Sequence, residues 1–135
     1  MSKKTYEIIP VTKTVDGKVL LDNLVIYLYS RLKDCQLETN ISGNTYTILA
    51  SSTSKRKQDR AAYLTVEIIL HEDSCAVYFA SSKNRPVINM VFAIAAAPVA
   101  LPVAGLFAGS GLLHLLNHKE FKKEVIKYIE TYVNQ

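Results

Sequence analysis

The chain has 135 residues, of which 49% are hydrophobic and 21% are charged, and its formal net charge is +4. This length is typical of a single domain, and the composition excludes wholesale disorder and a fibrous repeat. The basic excess is weaker than the field of a dedicated nucleic-acid-binding domain, so nucleic acid is not an expected partner.

The first 33 residues predict an edge strand followed by a helix. Tyr6–Thr12 is short, rich in β-branched residues and interrupted by Pro10, as is typical of an edge strand. In Lys18–Lys33 apolar residues, mainly leucines, recur with a 3.6-residue period, which predicts an amphipathic helix of about four turns.

Four more strands are predicted between residues 36 and 80. Gln36–Ile41 and Thr45–Ala50 flank a Ser-Gly-Asn loop, Ala62–Leu70 alternates strictly between apolar and polar positions over most of its length, and Cys75–Ala80 follows a polar turn. The resulting order is β-α-β-β-β-β. It predicts an α+β fold with an antiparallel sheet and one helix covering a single face.

The most informative feature is a long segment without charge. Residues 86–118 contain no Asp, Glu, Lys or Arg, and between Met90 and Leu113 only Ser110 is not aliphatic, aromatic, Gly, Pro or Met. As one helix these 24 residues would be roughly 36 Å long, enough for a hydrocarbon layer of about 30 Å. However, Pro98 and Pro102 would interrupt such a helix.

We therefore predict an apolar helical hairpin at residues 86–117. Its arms are Val87–Ala97 and Val103–Leu116, joined by a bend at the prolines. The first arm, of eleven residues, reaches about 16 Å, into one leaflet only. A single span would also export the lysines that follow, against the positive-inside tendency. Gly105 and Gly109 form a GxxxG spacing that predicts close helix packing.

A C-terminal amphipathic helix is predicted over residues 118–135. Asn117 and Glu120 match a capping box, and Phe121, Val125 and Ile129 lie on one stripe. The chain is thus expected to be one domain, residues 1–135. Its parts are a sheet-plus-helix portion at 1–85, the hairpin at 86–117 and the helix at 118–135.

Two sets of side chains are candidate contacts. The apolar set is expected to meet a membrane or another subunit and comprises Met90, Phe92, Ile94, Leu101, Leu106, Phe107, Leu112 and Leu113. The basic set is expected to contact anionic lipid or phosphate and comprises Lys55, Arg56, Lys57, Arg60, Lys83, Arg85, Lys119, Lys122 and Lys123.

No motif predicts a reaction, a metal or a cofactor. His114 and His118 have the spacing of metal ligands on a helix, but leucines occupy the place of the HExxH glutamate, so capping or interfacial histidines are the better interpretation. The turn His71–Ser74 brings acid, base and hydroxyl together in sequence only. The glycines form no nucleotide-binding pattern. A non-enzymatic protein is expected.

The expected function is peripheral association with a membrane, on its cytosolic face. The start of the chain lacks the apolar run of a secretory signal, and Cys35 and Cys75 are too few for a disulfide framework. One alternative is a soluble homo-oligomer or a carrier of an apolar ligand, in which the charge-free segment forms the interface or a cavity wall. Another is nucleic-acid binding through the basic loop at residues 55–60.

Overall fold

A computed structural model of the chain describes residues 5–33, 35–53, 63–82, 85–86, 91–95, 110–111 and 119–134. Their secondary structure is that of an α+β fold, as predicted. In chain order the described elements are β1 Glu7–Pro10, α1 Gly17–Arg31, β2 Leu32–Lys33, β3 Cys35–Ser42, β4 Thr45–Ser52, β5 Tyr63–Leu70, β6 Ser74–Ser82, β7 Ala93–Ala95, β8 Ser110–Gly111 and α2 Lys119–Val133.

Six strands form one antiparallel sheet with the order β1-β6-β5-β4-β3-β7. Strands β3 to β6 are neighbours in chain order, which confirms the predicted meander, and β1 closes one edge by pairing with β6. Gly43 turns β3 into β4 with a φ of 60°, a backbone conformation that glycine adopts without strain. The short strands β2 and β8 pair separately and in parallel.

Both helices cover the same face of the large sheet. The strict alternation of β5 buries Leu64, Val66 and Ile68 on that face, beside Cys75 and Val77 of β6. One continuous core joins these strands to the helices, whose buried core members are Leu20, Leu21, Leu24, Val25, Leu28, Phe121, Val125, Ile129 and Val133. Because burial of apolar area is the dominant favourable term in folding, this layer fixes the helices on the sheet.

Helix α1 begins at a cap and a close contact. The Asp16 carboxylate accepts hydrogen bonds from the backbone N–H groups of Lys18, at 3.0 Å, and Val19, at 3.4 Å, which satisfies two donors of the first turn. A Cβ atom on Gly17 would lie 2.0 Å from the Tyr46 ring. Glycine therefore lets this ring pack against the start of the helix.

Helix α2 runs antiparallel to α1. Near its beginning Glu124 accepts a hydrogen bond from the Arg31 guanidinium at 2.5 Å, at the end of α1. Just beyond its other end the Asn134 side chain accepts hydrogen bonds from the Thr12 backbone N–H and hydroxyl, at 3.0 and 2.9 Å, ahead of α1. The first turns of α2 therefore lie beside the last turn of α1.

The predicted helical hairpin is corrected by the structure. Ala93–Ala95, inside the expected first arm, is strand β7 and pairs with β3. Ser110–Gly111, inside the expected second arm, is strand β8 and pairs with β2. Apolar composition does not distinguish a helix from a strand. Here backbone pairing with β3 and β2 makes both segments strands. The remainder of residues 87–116 lies outside the described ranges, except Val91 and Phe92.

Neither described helix is a candidate for crossing a membrane. Both α1 and α2 have 15 residues, and in neither is there a stretch long and apolar enough to span a bilayer.

Candidate functional site

One end of the large sheet gathers most segments that carry basic residues. The register pairs Cys35 with Ser52, Ser51 with Tyr63, and Tyr63 with Ser82. Strands β3 and β5 therefore begin, and β4 and β6 end, at the same end of the sheet, which we call the basic end. The last turn of α1 and the first turns of α2 lie at this end as well, because β2 directly follows α1 and leads into β3.

The predicted basic residues are attached at the basic end. The segment 54–62, which contains Lys55, Arg56, Lys57 and Arg60, connects the end of β4 to the start of β5, and Lys83 directly follows β6. The placement of these five side chains lies outside the described residues. The strand register nevertheless fixes where their segments leave and rejoin the sheet, a proximity that the sequence pattern did not show.

The described basic residues have different surroundings. Lys119 and Lys123 are exposed and Lys122 is half-buried, in the first turns of α2, and Lys123 lies 3.6 Å from Glu120. The Arg85 guanidinium donates two hydrogen bonds to the Glu38 carboxylate, at 3.0 and 3.2 Å, and this contact raises the pKa of Arg85. Its charge is thus already compensated, whereas Lys119 and Lys122 form no ion pair with any described residue.

The tight turns at the opposite end of the sheet carry no basic side chain. They are the β3–β4 turn at Gly43 and the turn between β5 and β6, and the second of these exposes Glu72 and Asp73. Lys13 and Lys18 lie near the same end, ahead of α1 and in its first turn. The two ends therefore differ in how many basic residues their segments carry, and both ends carry some.

The charge-free segment is tethered to the basic end on both sides. In β7, Ala95 pairs with Leu37 of β3, and in β8, Gly111 pairs with Lys33 of β2. Leu37 and Lys33 are four residues apart, so even a fully extended chain separates them by at most about 14 Å. Residues 96–109 consequently leave the sheet and return to it at one corner.

A tyrosine hydroxyl holds the first of these tethers. The Tyr29 hydroxyl donates a hydrogen bond to the Ala95 carbonyl at 2.5 Å and accepts one from the Leu37 backbone N–H at 3.0 Å. Burial raises the pKa of this phenol, so it keeps the proton that it donates at neutral pH. The hydroxyl bridges two strands at the point where β7 ends and the undescribed segment begins.

Replacing Tyr29 by Phe is expected to loosen β7. The change leaves the Leu37 N–H and the Ala95 carbonyl without this partner, and an unsatisfied buried backbone group costs about 1–3 kcal/mol. Amide hydrogen exchange of a peptide covering residues 91–95 should become roughly tenfold faster. Tyr132→Phe is the control, since within the described residues its hydroxyl makes no hydrogen bond. Equal exchange in both variants would contradict this role of Tyr29.

Apolar side chains in and just before β7 are exposed. Ile94, next to the Ala95 tether, is 70% exposed, whereas Phe92 is half-buried. Val91, which precedes β7, is 88% exposed and accepts a hydrogen bond at its carbonyl from the Asn40 side chain at 2.7 Å, so it lies toward the opposite end of the sheet. A large apolar side chain as exposed as Ile94 on an edge strand is typical of a contact surface. Of the predicted apolar contacts, the structure describes only Phe92 and Ile94. Those outside the described residues are Met90, Leu101, Leu106, Phe107, Leu112 and Leu113, and so are the predicted helix-packing residues Gly105 and Gly109.

The described residues offer little reactive chemistry. Burial raises the pKa of the Cys75 thiol to about 11, which keeps this cysteine protonated and a poor nucleophile at neutral pH. Within the described ranges no three His, Cys, Asp or Glu side chains gather as metal ligands. His114 and His118 lie outside these ranges. Comparison of the chain with protein-family models, with curated proteins and with solved structures gives no match.

Proposed function

We propose that this chain is a non-enzymatic protein that docks peripherally on an anionic membrane surface through the basic end of its sheet. The observation that supports the proposal is the double tether of the charge-free segment, at Ala95 and Gly111, at the same end of the sheet as the first lysines of α2. Apolar and basic residues are thereby brought to one surface, the combination that binds anionic membranes.

The tethers favour insertion into one leaflet over a span. Residues 96–109 number fourteen, so seven residues out and seven back reach at most about 24 Å, even when fully extended. This reach is shorter than a hydrocarbon layer of about 30 Å. The limit holds for any conformation of the segment, so the proposal of peripheral docking does not depend on a helical hairpin.

Strand β7 limits how deep the docking goes. Among the described strands it is an edge of the sheet, and an open sheet edge is not tolerated within hydrocarbon because its backbone groups would lose their hydrogen bonds. We infer that the Ala95 end of β7 lies at the level of the head groups, with the Ile94 side chain nearest to the lipid. The cytosolic face is the proposed location, a reducing compartment that suits Cys35 and Cys75, which form no disulfide with each other.

A pair of charge-matched variants tests the electrostatic part. Lys119→Gln with Lys123→Gln removes two charges at the basic end, and at about 1 kcal/mol for each lysine near the surface it should weaken binding to anionic vesicles roughly 30-fold. The control is Lys13→Gln with Lys18→Gln, at the start of α1. Each pair loses two charges and one exposed intrahelical ion pair, Lys123 with Glu120 or Lys18 with Asp22. Vesicle flotation measures the loss of binding. An equal loss in the two double variants would count against docking through the basic end.

One observation favours a second candidate, a soluble homodimer. Strand β7 is uncharged and lacks proline, the devices that normally protect an edge from pairing, whereas the other edge strand, β1, carries Glu7 and Pro10. Antiparallel pairing of β7 with its copy would place the two basic ends at opposite ends of one continuous sheet. Such a dimer cannot present both to one membrane, so light scattering in plain buffer separates the candidates. The carrier alternative has no such support.

A further inference from the structure

A cleft of about 390 Å³ lies between α2 and strands β1 and β6. Its floor is apolar, formed by Phe79 of β6 and Ile126 of α2. Its remaining walls are lysines and two glutamates, Glu7 and Glu130. This volume falls in the range of small-molecule sites, about 300–1,000 Å³.

The charges around the cleft do not neutralise one another. Three lysines and two glutamates line it, and Lys123 among them lies 3.6 Å from Glu120, outside the cleft. Within the described part of the chain none of the other four, Lys122, Lys127, Glu7 and Glu130, forms an ion pair within 4 Å. Two cations and two anions held apart around one space match a ligand that itself carries both signs. A simple anion would meet repulsion from the glutamates.

We propose that this cleft binds a phospholipid head group that carries a phosphate and a primary ammonium, the chemistry of phosphoethanolamine. Along α2 from the basic end the charges run from Lys122 through Lys127 to Glu130, and the last is about 12 Å from the first at 1.5 Å per residue. A head group has the same order as it leaves the bilayer, phosphate first and ammonium outermost. The lysines thus pair with the phosphate, and Glu7 and Glu130 accept hydrogen bonds from the ammonium.

This inference rests on the proposed docking of the basic end, and its test separates the two. Flotation compares vesicles with equal fractions of anionic phosphatidylglycerol, in which the other lipid is either phosphatidylethanolamine or phosphatidylcholine. The choline group has no N–H to donate to the glutamates. The unaltered protein should bind the ethanolamine vesicles roughly three- to tenfold more tightly, the effect of two exposed ion pairs.

Matched variants assign the preference to the cleft. Glu7→Gln with Glu130→Gln should abolish it, while Glu72→Gln with Asp73→Asn, the same charge change at the opposite end, should preserve it. A preference that persists in the first variant overturns the inference. So does the absence of any preference in the unaltered protein. In both results, binding to phosphatidylglycerol leaves the proposed function standing.

Titration with a water-soluble head group shows whether the cleft binds a lipid in a membrane or a ligand free in solution. If the protein floats with neither vesicle, titration with glycerophosphoethanolamine, followed by nuclear magnetic resonance, decides the matter. Saturable shifts at Lys127 and Glu130 that glycerophosphocholine does not produce, and that the Glu7→Gln with Glu130→Gln variant loses, assign the cleft to a soluble ligand and reject membrane docking. No shifts would reject both proposals.

Discussion

Replacing Ile94 by Asp is expected to reduce binding to anionic vesicles roughly 70-fold. Ile94 is 70% exposed and directly precedes the Ala95 tether, so its loss removes little core. At the bilayer centre an aspartate costs about 2.5–3.5 kcal/mol, and at the shallower level proposed here about half of that. Repulsion of the new charge by an anionic surface adds about 1 kcal/mol, and the sum of about 2.5 kcal/mol corresponds to nearly two orders of magnitude in partitioning.

The control places the same change on an apolar side chain away from the basic end. Ile8 is 64% exposed on strand β1, near the end of that strand that pairs with the start of β6. Ile8→Asp should leave flotation within threefold of the unaltered protein, allowing for the loss of general attraction to an anionic surface. If the two variants float equally well, Ile94 does not contact lipid.

Replacing Glu124 by Ala is expected to destabilise the fold by about 2 kcal/mol. Glu124 pairs at 2.5 Å with Arg31, whose side chain is only 10% exposed, and removal of one partner leaves a nearly buried cation. Breaking a fully buried pair costs about 3–5 kcal/mol, and the value here is lower because the Glu124 side chain is 34% exposed. Urea unfolding followed by circular dichroism measures the difference.

Two further variants separate this buried pair from an ordinary surface pair. Asp22→Ala breaks the exposed Lys18–Asp22 pair and should cost no more than about 0.5 kcal/mol. Arg31→Met combined with Glu124→Leu removes both charges and should recover most of the stability lost by Glu124→Ala. Equal costs for Asp22→Ala and Glu124→Ala would show that the pair does not fix α2 against α1.

The regular elements could be predicted because their periods are local. The leucines of α1 recur every 3.6 residues, and Leu64, Val66 and Ile68 alternate along β5, so each element shows in its own sequence which face it buries. The stripe of Phe121, Val125 and Ile129 in α2 is confirmed in the same way. The α+β class that they predict is confirmed, and both helices share one core with the sheet.

The charge-free segment could not be predicted in the same way because it has no period. A run of apolar residues fits a buried helix or a strand equally well, and the choice at Ala93–Ala95 depends on a partner, β3, that is distant in sequence. The hydrogen bonds of the Tyr29 hydroxyl are likewise non-local, because the sequence of α1 does not show that this side chain contacts the Ala95 carbonyl.

The residues of the candidate surface could be predicted, but their common position at one end of the sheet could not. Sequence spacing singled out basic clusters near residues 55, 83 and 119 without relating them to one another. The register of Cys35, Ser52, Tyr63 and Ser82 brings the ends of their segments to one end of the sheet. Strand pairing over long sequence distances supplies this information, and one sequence read alone does not contain it.

Flotation of the unaltered protein with vesicles of different charge tests the central claim most directly. We expect the protein to rise with vesicles that contain phosphatidylglycerol, to stay at the bottom with pure phosphatidylcholine, and to be released in large part by high salt, because surface charges are screened within a Debye length of about 3 Å at 1 M. A protein that remains at the bottom of every gradient, and that is monodisperse without detergent, would contradict docking on a membrane.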